Sequence, residues 1–381
     1  MEQVIVIGAG IIGMLTAHLL SKQGLKVKLI EQGYAGKEST WAGGGIISPL
    51  YPWRYNHAVT QLALWSQKNY KKLLEQVELE SGIDPQYYQS GLLYLNIETE
   101  EKQALEWAKK YQYTIETIDD QQLKTLSPQL SSDFTQGWYS QETAQLRNPR
   151  LVKSLRELMQ KNPLIDLLQQ TKVDSLLQQQ QQQHQVTGVN TDAGKFYADR
   201  VIVAGGAWSA QLLDGLIDVP KIAPVKGQMI VFKADKQLVK QIILSHGRYI
   251  IPRIDGRVLL GSTLEFEGFD KSTPSGTLNE LKQQAYRIVP ALRDYQVEKH
   301  WAGLRPGAID GLPYIGEHPQ LKNLYVNAGH FRNGVVLGYA SCELLKNILL
   351  DETPIVDPSP YGLTAKRMSS TASAIDLKGA I

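Results

Sequence analysis

The sequence predicts an α/β protein with a discontinuous, Rossmann-like nucleotide-binding domain and a second α+β domain built on a mixed or antiparallel sheet. The first observation is a short β-branched run, residues 4–7, that stops at a glycine-rich turn. The second is another apolar run, residues 201–203, which also ends in glycines but lacks a following helix and acidic residue at nucleotide-binding spacing. We expect this second strand to return to the first sheet. The strand-rich stretches between such segments then form the second domain.

The turn after the first strand carries Gly8, Gly10 and Gly13 and opens a helical pattern. Glycine lets the backbone approach a pyrophosphate closely, so that helix amides can bind it. The next strand, residues 26–30, ends at Glu31. A carboxylate there accepts hydrogen bonds from a ribose 2′-hydroxyl and repels a 2′-phosphate. The motif therefore predicts FAD or NAD and disfavours NADP, the alternative being an ordinary βαβ turn without a ligand.

The composition is that of an ordinary globular protein, with 381 residues of which 43% are hydrophobic and 20% charged. A net charge of +2 gives no electrostatic basis for binding nucleic acid or an anionic membrane. One cysteine, Cys342, excludes an internal disulfide, and the scattered histidines lack metal-ligand spacing, so we expect no metal. No apolar run approaches the ~20 residues that span a bilayer, and no signal peptide precedes Val4. We therefore expect a cytoplasmic enzyme.

Hydrophobic periodicity predicts helices and strands in alternation along the rest of the chain. Asn148 and Pro149 open one helix, with Asn148 as its N-cap. Asp255 and Gly256 form the turn of a hairpin. The other predicted helices cover residues 57–82, 100–111, 277–292 and 334–349. The other predicted strands cover residues 91–97, 172–177, 185–191, 225–233, 249–253, 257–263, 296–301 and 324–327.

These segments define the expected domains. The nucleotide-binding domain comprises residues 1–50, 146–217 and 323–363, and the substrate-binding domain comprises residues 51–145 and 218–322. A run of six glutamines, Gln178–Gln183, is interpreted as a solvated hairpin loop. The small, polar residues 364–381 are interpreted as a disordered tail.

Several separated motifs between Met1 and about Leu350 resemble those of the D-amino-acid oxidase superfamily of flavoproteins. Besides the glycine turn with Glu31, they are residues 39–46 (STWAGGGI), 203–209 (VAGGAWS), 224–228 (PVKGQ), 303–306 (GLRP) with 310–313 (DGLP), and 329–334 (GHFRNG). The last motif is similar to that of the glycine oxidases of thiamin biosynthesis. No cysteine lies in residues 303–316, where the related sarcosine oxidases attach flavin, so the resemblance implies non-covalent FAD. The glutamine run is not a feature of the family.

The resemblance also implies a set of flavin-contacting residues in the glycine turn, the 39–46 loop, the inner strand and the last flavin loop. They are Gly8, Gly10, Ile11, Ile12, Gly13, Glu31, Gln32, Thr40, Ala42, Gly43, Gly44, Ile46, Val173, Ala204, Gly205, Trp208, Gly303, His330, Arg332, Asn333, Gly334, Val335 and Val336.

Five residues are candidates for the substrate site. A planar guanidinium binds a carboxylate through two points, and the resemblance places the family's carboxylate-binding arginine at Arg305, the alternative being a surface ion pair. The resemblance assigns Tyr249 to the same carboxylate, the alternative being a half-buried strand tyrosine. Arg332 resembles a pocket residue that either contacts the substrate or closes the pocket. Leu264 resembles the position that limits pocket depth, and His246 is either a base or an ordinary loop histidine.

The predicted reaction is oxidation of glycine, sarcosine and small D-amino acids by hydride transfer from the substrate Cα to flavin N5. We expect the first amides of the helix at Gly334 to stabilise charge on the flavin, the alternative being a helix start capped by Asn333. With oxygen as co-substrate, the products are glyoxylate or a 2-oxo acid, ammonia and hydrogen peroxide.

Two alternatives stay open: a D-amino-acid dehydrogenase that reduces a quinone, and a sarcosine-type secondary-amine oxidase. The near-zero net charge argues against a flavin module that modifies RNA. The family also implies a homo-oligomer.

Overall fold

The computed structural model describes residues 2–179, 184–234, 237–308 and 311–367. Gln178 and Gln179, predicted to lie in the loop, instead end a strand, Val173–Gln179, and pair with Val186 and Gln185. Residues 180–183 of the glutamine run and residues 368–381 of the expected tail lie outside the described residues. The first residues of that tail contact the protein, because Arg367 donates hydrogen bonds to the carbonyl oxygens of Leu312 and, at 3.0 Å, of Pro313.

Within the described residues, the chain alternates between helices and strands. The helices are α1 (Ile11–Lys22), α2 (Ser39–Ala42), α3 (His57–Ser81), α4 (Glu101–Tyr111), α5 (Asp120–Leu126), α6 (Asn148–Lys161), α7 (Ser209–Leu212), α8 (Ser275–Ile288) and α9 (Gly334–Leu349). The first ten strands are β1 (Gln3–Ile7), β2 (Lys26–Ile30), β3 (Ile46–Ile47), β4 (Tyr88–Gln89), β5 (Leu92–Tyr94), β6 (Glu116–Ile118), β7 (Gly137–Ser140), β8 (Ala144–Gln145), β9 (Ile165–Leu168) and β10 (Val173–Gln179). The others are β11 (Gln185–Thr191), β12 (Gly194–Tyr197), β13 (Arg200–Val203), β14 (Ile222–Phe232), β15 (Ile242–Ser245), β16 (Arg248–Pro252), β17 (Val258–Gly261), β18 (Val297–Ala308), β19 (Tyr314–Glu317) and β20 (Leu324–Ala328).

The first sheet has six strands in the order β19-β20-β13-β1-β2-β9. All neighbours are parallel except β19 and β20. Ile7 of β1 lies opposite Val203 of β13, which confirms that the second glycine-ended strand returns to the first sheet. Its central strands are continuous Val and Ile runs because both faces of the sheet are covered.

Two layers cover this sheet. Helices α1, α3, α6 and α9 pack on one face in a single apolar core, while the other face contacts β10, β11 and β12, which form a three-stranded antiparallel sheet. Two elements of this part of the structure come from segments that the sequence assigns to the substrate-binding domain. They are helix α3, in the helical layer, and strand β19, in the sheet. Helix α3 joins the first sheet because its apolar stripe, including Leu62 and Leu73, packs in the helical core. Strand β19 joins the sheet because it pairs antiparallel with β20, the next strand in the chain.

The second large sheet has eight strands in the order β18-β14-β17-β16-β15-β5-β7-β6. It is a mixed sheet, antiparallel except for the β5–β15 pair, as expected. One face is buried against α8, and the other carries Tyr249, Ile251 and Met229 toward the first domain. In a small antiparallel sheet, β3-β8-β4, strand β3 comes from residues 1–50, and β8 and β4 come from residues 51–145. No helix in the described ranges combines the length and apolarity needed to cross a bilayer.

Candidate active site

A continuous cleft runs along the edge of the first sheet where the parallel strands β1, β2 and β13 end, which is where α/β sheets bind ligands. It consists of two adjoining cavities that share Gly10, Thr40 and Ala204. One cavity extends from the glycine turn to Glu31 and Val173. The other extends from the same turn to the second sheet and the start of α9.

The glycine turn places backbone, without side chains, at the centre of the cleft. Gly8 has a φ of +98°, and a Cβ there would lie 2.6 Å from the carbonyl oxygen of Ala204. A Cβ on Gly13 would lie 1.8 Å from the Gly8 oxygen, so Gly13 allows α1 to pack on the strand rather than lining the cleft. Gly10 lines both cavities, and Thr40 Oγ1 accepts a hydrogen bond from the amide of Ile11 at 2.9 Å. The turn therefore fits a pyrophosphate at the N-terminus of α1.

Glu31 lies at the far end of the first cavity. Its two carboxylate oxygens accept hydrogen bonds from the amides of Ala9 and Gly33, both at 2.8 Å. Burial raises the pKa of Glu31, and these two hydrogen bonds oppose that rise. The same cavity is lined by Gln32 and Val173. The carboxylate is thus held in place where a ribose would follow the pyrophosphate.

The glycine-rich loop after α2 passes between the two sheets. A Cβ on Gly44 would lie 2.5 Å from Ile251 Cδ1. Gly45 has a φ of +79°, and a Cβ there would lie 2.1 Å from the carbonyl oxygen of Leu146. Arg253 crosses under the loop and donates hydrogen bonds to the carbonyl oxygens of Gly44, at 2.8 Å, and Leu146, at 2.9 Å. The loop backbone is therefore fixed in the cleft wall.

Asn148 also holds this loop, which corrects its predicted role as a helix cap. The N-cap of α6 is Arg147, and the Asn148 side chain makes no capping bond. Its Nδ2 instead donates to the carbonyl oxygen of Thr40 at 2.6 Å. The side chain is buried, so a tertiary partner replaces the local one.

Arg305 lies on β18 and lines the second cavity. Its guanidinium donates to the carbonyl oxygens of Lys226, at 3.2 Å, and Thr263, at 3.3 Å, and to Ser262 Oγ at 2.5 Å. All three acceptors are neutral, so they orient the guanidinium; among the described residues no carboxylate pairs with it, although the charge of Glu265 acts on it through space. Burial lowers the pKa of Arg305 from 12.5, and nearby Tyr249 opposes that shift. The predicted alternative, a surface ion pair, is wrong.

Tyr249 and Arg332 line the same cavity as Arg305. Tyr249 is 7% exposed, and its hydroxyl lies 3.5 Å from Met229 Sδ. Arg332 is half-buried, and among the described residues its guanidinium has no hydrogen-bond or ion-pair partner. The residues known to line this cavity include neither aspartate nor glutamate. A cavity with two guanidinium groups and no acidic side chain favours an anionic ligand.

The start of α9 faces the same space, with Gly334, Val335 and Val336 among the lining residues. Asn333 precedes the helix but makes no capping hydrogen bond, so the alternative of a helix start capped by Asn333 is wrong. The first amides of a helix lack internal partners and carry a partial positive charge. They are therefore available to a ligand with electron-rich edges.

His330 lies at the same end and is buried, with its Nε2 2.9 Å from Ser341 Oγ. Burial lowers the pKa of His330 to about 3. It is neutral at physiological pH, so the positive electrostatics at this end come from the helix start and the two arginines.

Most predicted cofactor residues meet in this cleft. The residues that line it as expected are Gly8, Gly10, Ile11, Ile12, Glu31, Gln32, Thr40, Ala42, Gly43, Gly44, Ile46, Val173, Ala204, Gly205, Trp208, Gly303, His330, Arg332, Gly334, Val335 and Val336. Asn333 is buried beside it. A fit to FAD is supported by the glycines that line the cleft: an added Cβ would strike backbone at Gly8 and Gly45 and would crowd Thr40 Oγ1 at Gly10.

Two predicted pocket residues are not brought to the cleft. His246 is exposed at φ +46° in the turn between β15 and β16. Leu264 lies beyond the end of β17 and is not among the lining residues. The strands of the hairpin carry Tyr249 inward, while the turn leaves His246 outside. The resemblance alone placed Leu264 at the pocket, and its position after β17 keeps it away from the cleft. Sequence reasoning missed Met229 and Gly227, which line the cavity from the face of β14; strand alternation is the signal that was available for Met229.

Cys342 is buried in α9, where Thr16 Oγ1 lies 3.4 Å from its Sγ. Burial raises the pKa of this thiol to about 12. Cys342 is not among the residues that line the cleft. In the described ranges there is also no group of His, Cys, Asp and Glu residues that could hold a metal ion.

Comparison with known proteins places these features in one family. A family model described as "DAO: FAD dependent oxidoreductase" matches residues 3–348. The glycine oxidase of Pseudomonas aeruginosa is 44% identical over 361 residues, which cover 94% of this chain and 98% of that protein. The glycine oxidase of Pseudomonas putida has the same identity and coverage. The crystal structure of glycine oxidase from Geobacillus kaustophilus superposes with a TM-score of 0.90 at 26% identity, covering 97% of this chain and 100% of that one.

Proposed function

This chain belongs to the DAO family of FAD-dependent oxidoreductases and is an FAD-dependent amine oxidoreductase, and we propose that its substrates are glycine and small amines such as sarcosine and small D-amino acids. The products are glyoxylate or a 2-oxo acid, ammonia and hydrogen peroxide. The observation that carries the proposal is the position of Arg305, held by three neutral acceptors in the cavity that also contains the start of α9.

The residues of the cavity supply binding and orientation. Arg305 binds the substrate carboxylate through two parallel hydrogen bonds and so fixes the direction of the Cα–H bond. Tyr249 lies beside it and limits the space above the carboxylate. FAD, which the glycine turn, Glu31 and the start of α9 would hold, would supply the acceptor for the hydride of the substrate Cα. The first amides of α9, at Gly334 and Val335, compensate the negative charge that the hydride brings.

No strong base is required if the substrate amine arrives neutral. His330 lines the cavity, but its pKa of about 3 and its bond to Ser341 leave it a weak base. The imine that leaves the cavity hydrolyses in water to the carbonyl product and ammonia. We also propose that FAD is bound without a covalent link, because the single cysteine of the sequence, Cys342, is buried in α9.

A panel of small amines tests the proposal. Purified protein in air, supplied separately with glycine, sarcosine and D-alanine, is expected to release peroxide in proportion to the amine consumed. The same panel under nitrogen with a quinone dye tests the alternative, a D-amino-acid dehydrogenase. Reduction of the dye, together with no release of peroxide in air, would identify the protein as a dehydrogenase and not an oxidase. Oxidation of sarcosine but not of glycine would favour a secondary-amine oxidase. The role in thiamin biosynthesis implied by the resemblance remains a prediction.

A further inference from the structure

A buried lysine outside the active cavity holds a loop against the cofactor cleft. Lys226 lies on β14, next to Gly227, and its side chain is completely buried. Its Nζ lies 2.7 Å from Glu267 Oε2, 2.8 Å from Asp270 Oδ2 and 3.5 Å from Glu265 Oε2. We call residues 265–272 the acidic strap.

The base of the acidic strap is fixed to β14 by backbone as well. The Lys226 amide donates to the Glu265 carbonyl oxygen at 2.9 Å, and the Glu265 amide donates back to the Lys226 oxygen at 3.0 Å. Burial lowers the pKa of Lys226, but the hydrogen bonds with Asp270 and Glu267 outweigh it and raise that pKa above its usual value. The acidic strap therefore stabilises the charged form of Lys226.

The far end of the acidic strap reaches the cofactor domain. Lys271 Nζ lies 3.0 Å from Glu38 Oε1, and the ring of Phe269 packs on Trp208 with centroids 5.3 Å apart. Glu38 and Trp208 both line the cavity that contains Glu31. The strap thus joins the substrate domain to the wall of the cleft at its ribose end.

The charges of the strap make it dependent on this one lysine. Glu267 and Asp270 bond the same nitrogen, so they lie close together and repel one another once the ammonium is removed. The contacts at the far end are partly exposed, with Lys271 and Glu38 at 45% and 39%, and exposed ion pairs contribute little on their own. The carboxylates of Glu267 and Asp270 are about half exposed, but the ammonium that they share is completely buried, so its removal leaves both without their common partner.

We propose that Lys226 is a positioning residue that holds the acidic strap against the wall of the cofactor cleft and so controls how long FAD stays bound. The proposal rests on the proposed FAD site but not on the identity of the amine substrate. The strap supports the cleft wall at Glu38 and Trp208, so loosening the strap is expected to loosen the ribose end of the site and to speed FAD release.

The test is the rate of FAD release from the holoenzyme after dilution, followed by the rise in free-flavin fluorescence. Lys226→Met is expected to release FAD at least tenfold faster than the wild type. The matched control is Lys233→Met, because Lys233 follows the same strand, is exposed and lies outside the strap. Equal release rates for Lys226→Met and Lys233→Met would overturn the proposal.

A second measurement separates strap opening from a general loss of stability. Phe269→Ala breaks the distal contact and leaves Lys226 in place, so it also tests the strap if Lys226→Met does not fold. Each variant alone is expected to speed both FAD release and tryptic cleavage after Lys271. The double variant is expected to add little to Lys226→Met, because both act through one strap. Additive effects on FAD release would contradict a shared mechanism, and a wild type that takes up no FAD would remove the proposed cofactor site itself.

Discussion

A Cβ on Gly227 would lie 2.1 Å from Nη2 and 2.3 Å from Nη1 of Arg305. The guanidinium that we assign to the substrate carboxylate therefore lies directly over Gly227 of the neighbouring strand β14, a position without a side chain. The missing side chain at residue 227 is what lets Arg305 reach its three acceptors.

Gly227→Ala is therefore expected to displace the guanidinium without unfolding the protein, because the atoms in conflict lie at the end of a flexible side chain. The KM for glycine should rise at least tenfold while FAD remains bound, as measured by steady-state kinetics and flavin absorbance. Gly276→Ala in α8 is the control, since a Cβ there meets nothing within 4 Å. An unchanged KM in Gly227→Ala would contradict this account of the site.

Arg305→Ala removes the charge-assisted hydrogen bonds to the carboxylate, which contribute about 3 kcal/mol, or roughly a hundredfold in affinity. The KM for glycine should rise by about that factor with flavin content unchanged. Arg305→Lys keeps the charge but loses the two-point fork, so its KM should lie between those of wild type and Arg305→Ala. Wild-type kinetics in Arg305→Ala would remove Arg305 from substrate binding.

Gly10→Val should give a colourless protein, because Gly10 lines both cavities at the place where the pyrophosphate passes. A Cβ at this position already lies 3.3 Å from Thr40 Oγ1, and the valine methyl groups extend farther. Flavin absorbance of the purified protein measures the effect, with circular dichroism as the control for folding. Yellow protein with normal flavin content would place the pyrophosphate elsewhere.

His330 should make stability depend on pH. Its pKa is lowered from 6.5 to about 3 in the folded state, so below pH 6.5 the unfolded chain takes up a proton that the folded protein does not. The free energy of unfolding should fall by up to about 1.4 kcal/mol per pH unit between 6.5 and about 3, and be unaffected by this residue above 6.5. Urea titrations of wild type and His330→Gln measure the difference, which should shrink as pH falls; a constant difference would count against a buried neutral His330.

The nucleotide-binding turn could be predicted because its determinants are local. Gly8, Gly13 and Glu31 lie within one βαβ unit, and their spacing alone defines the geometry. The return of β13 to the first sheet could be predicted for the same reason, since a buried strand without its own helix needs an existing sheet.

Tertiary contacts determine the features that the sequence did not predict. Asn148 has the residue type and neighbour of an N-cap, yet its amide bonds Thr40, which is far away in sequence. His246 is close to Tyr249 in sequence, but the hairpin turn carries it to the surface. Lys226 gave no signal as a strand residue, because its partners Glu267 and Asp270 reach it only after three further strands, β15, β16 and β17, have folded back.

The strand order of the first sheet has a consequence for how the protein is made. Strand β13 lies between β1, from the beginning of the chain, and β20, which is synthesised only after the whole second sheet. Pairings between such distant segments form slowly, because closing the long loop between them costs conformational entropy before the stabilising contacts form. The hairpins β15–β16 and β16–β17 need no such wait. On the ribosome, the second sheet is therefore able to fold while the first sheet still lacks β20, the strand beside β13. A nascent chain that stops before Leu324 has no complete first sheet to bind the dinucleotide.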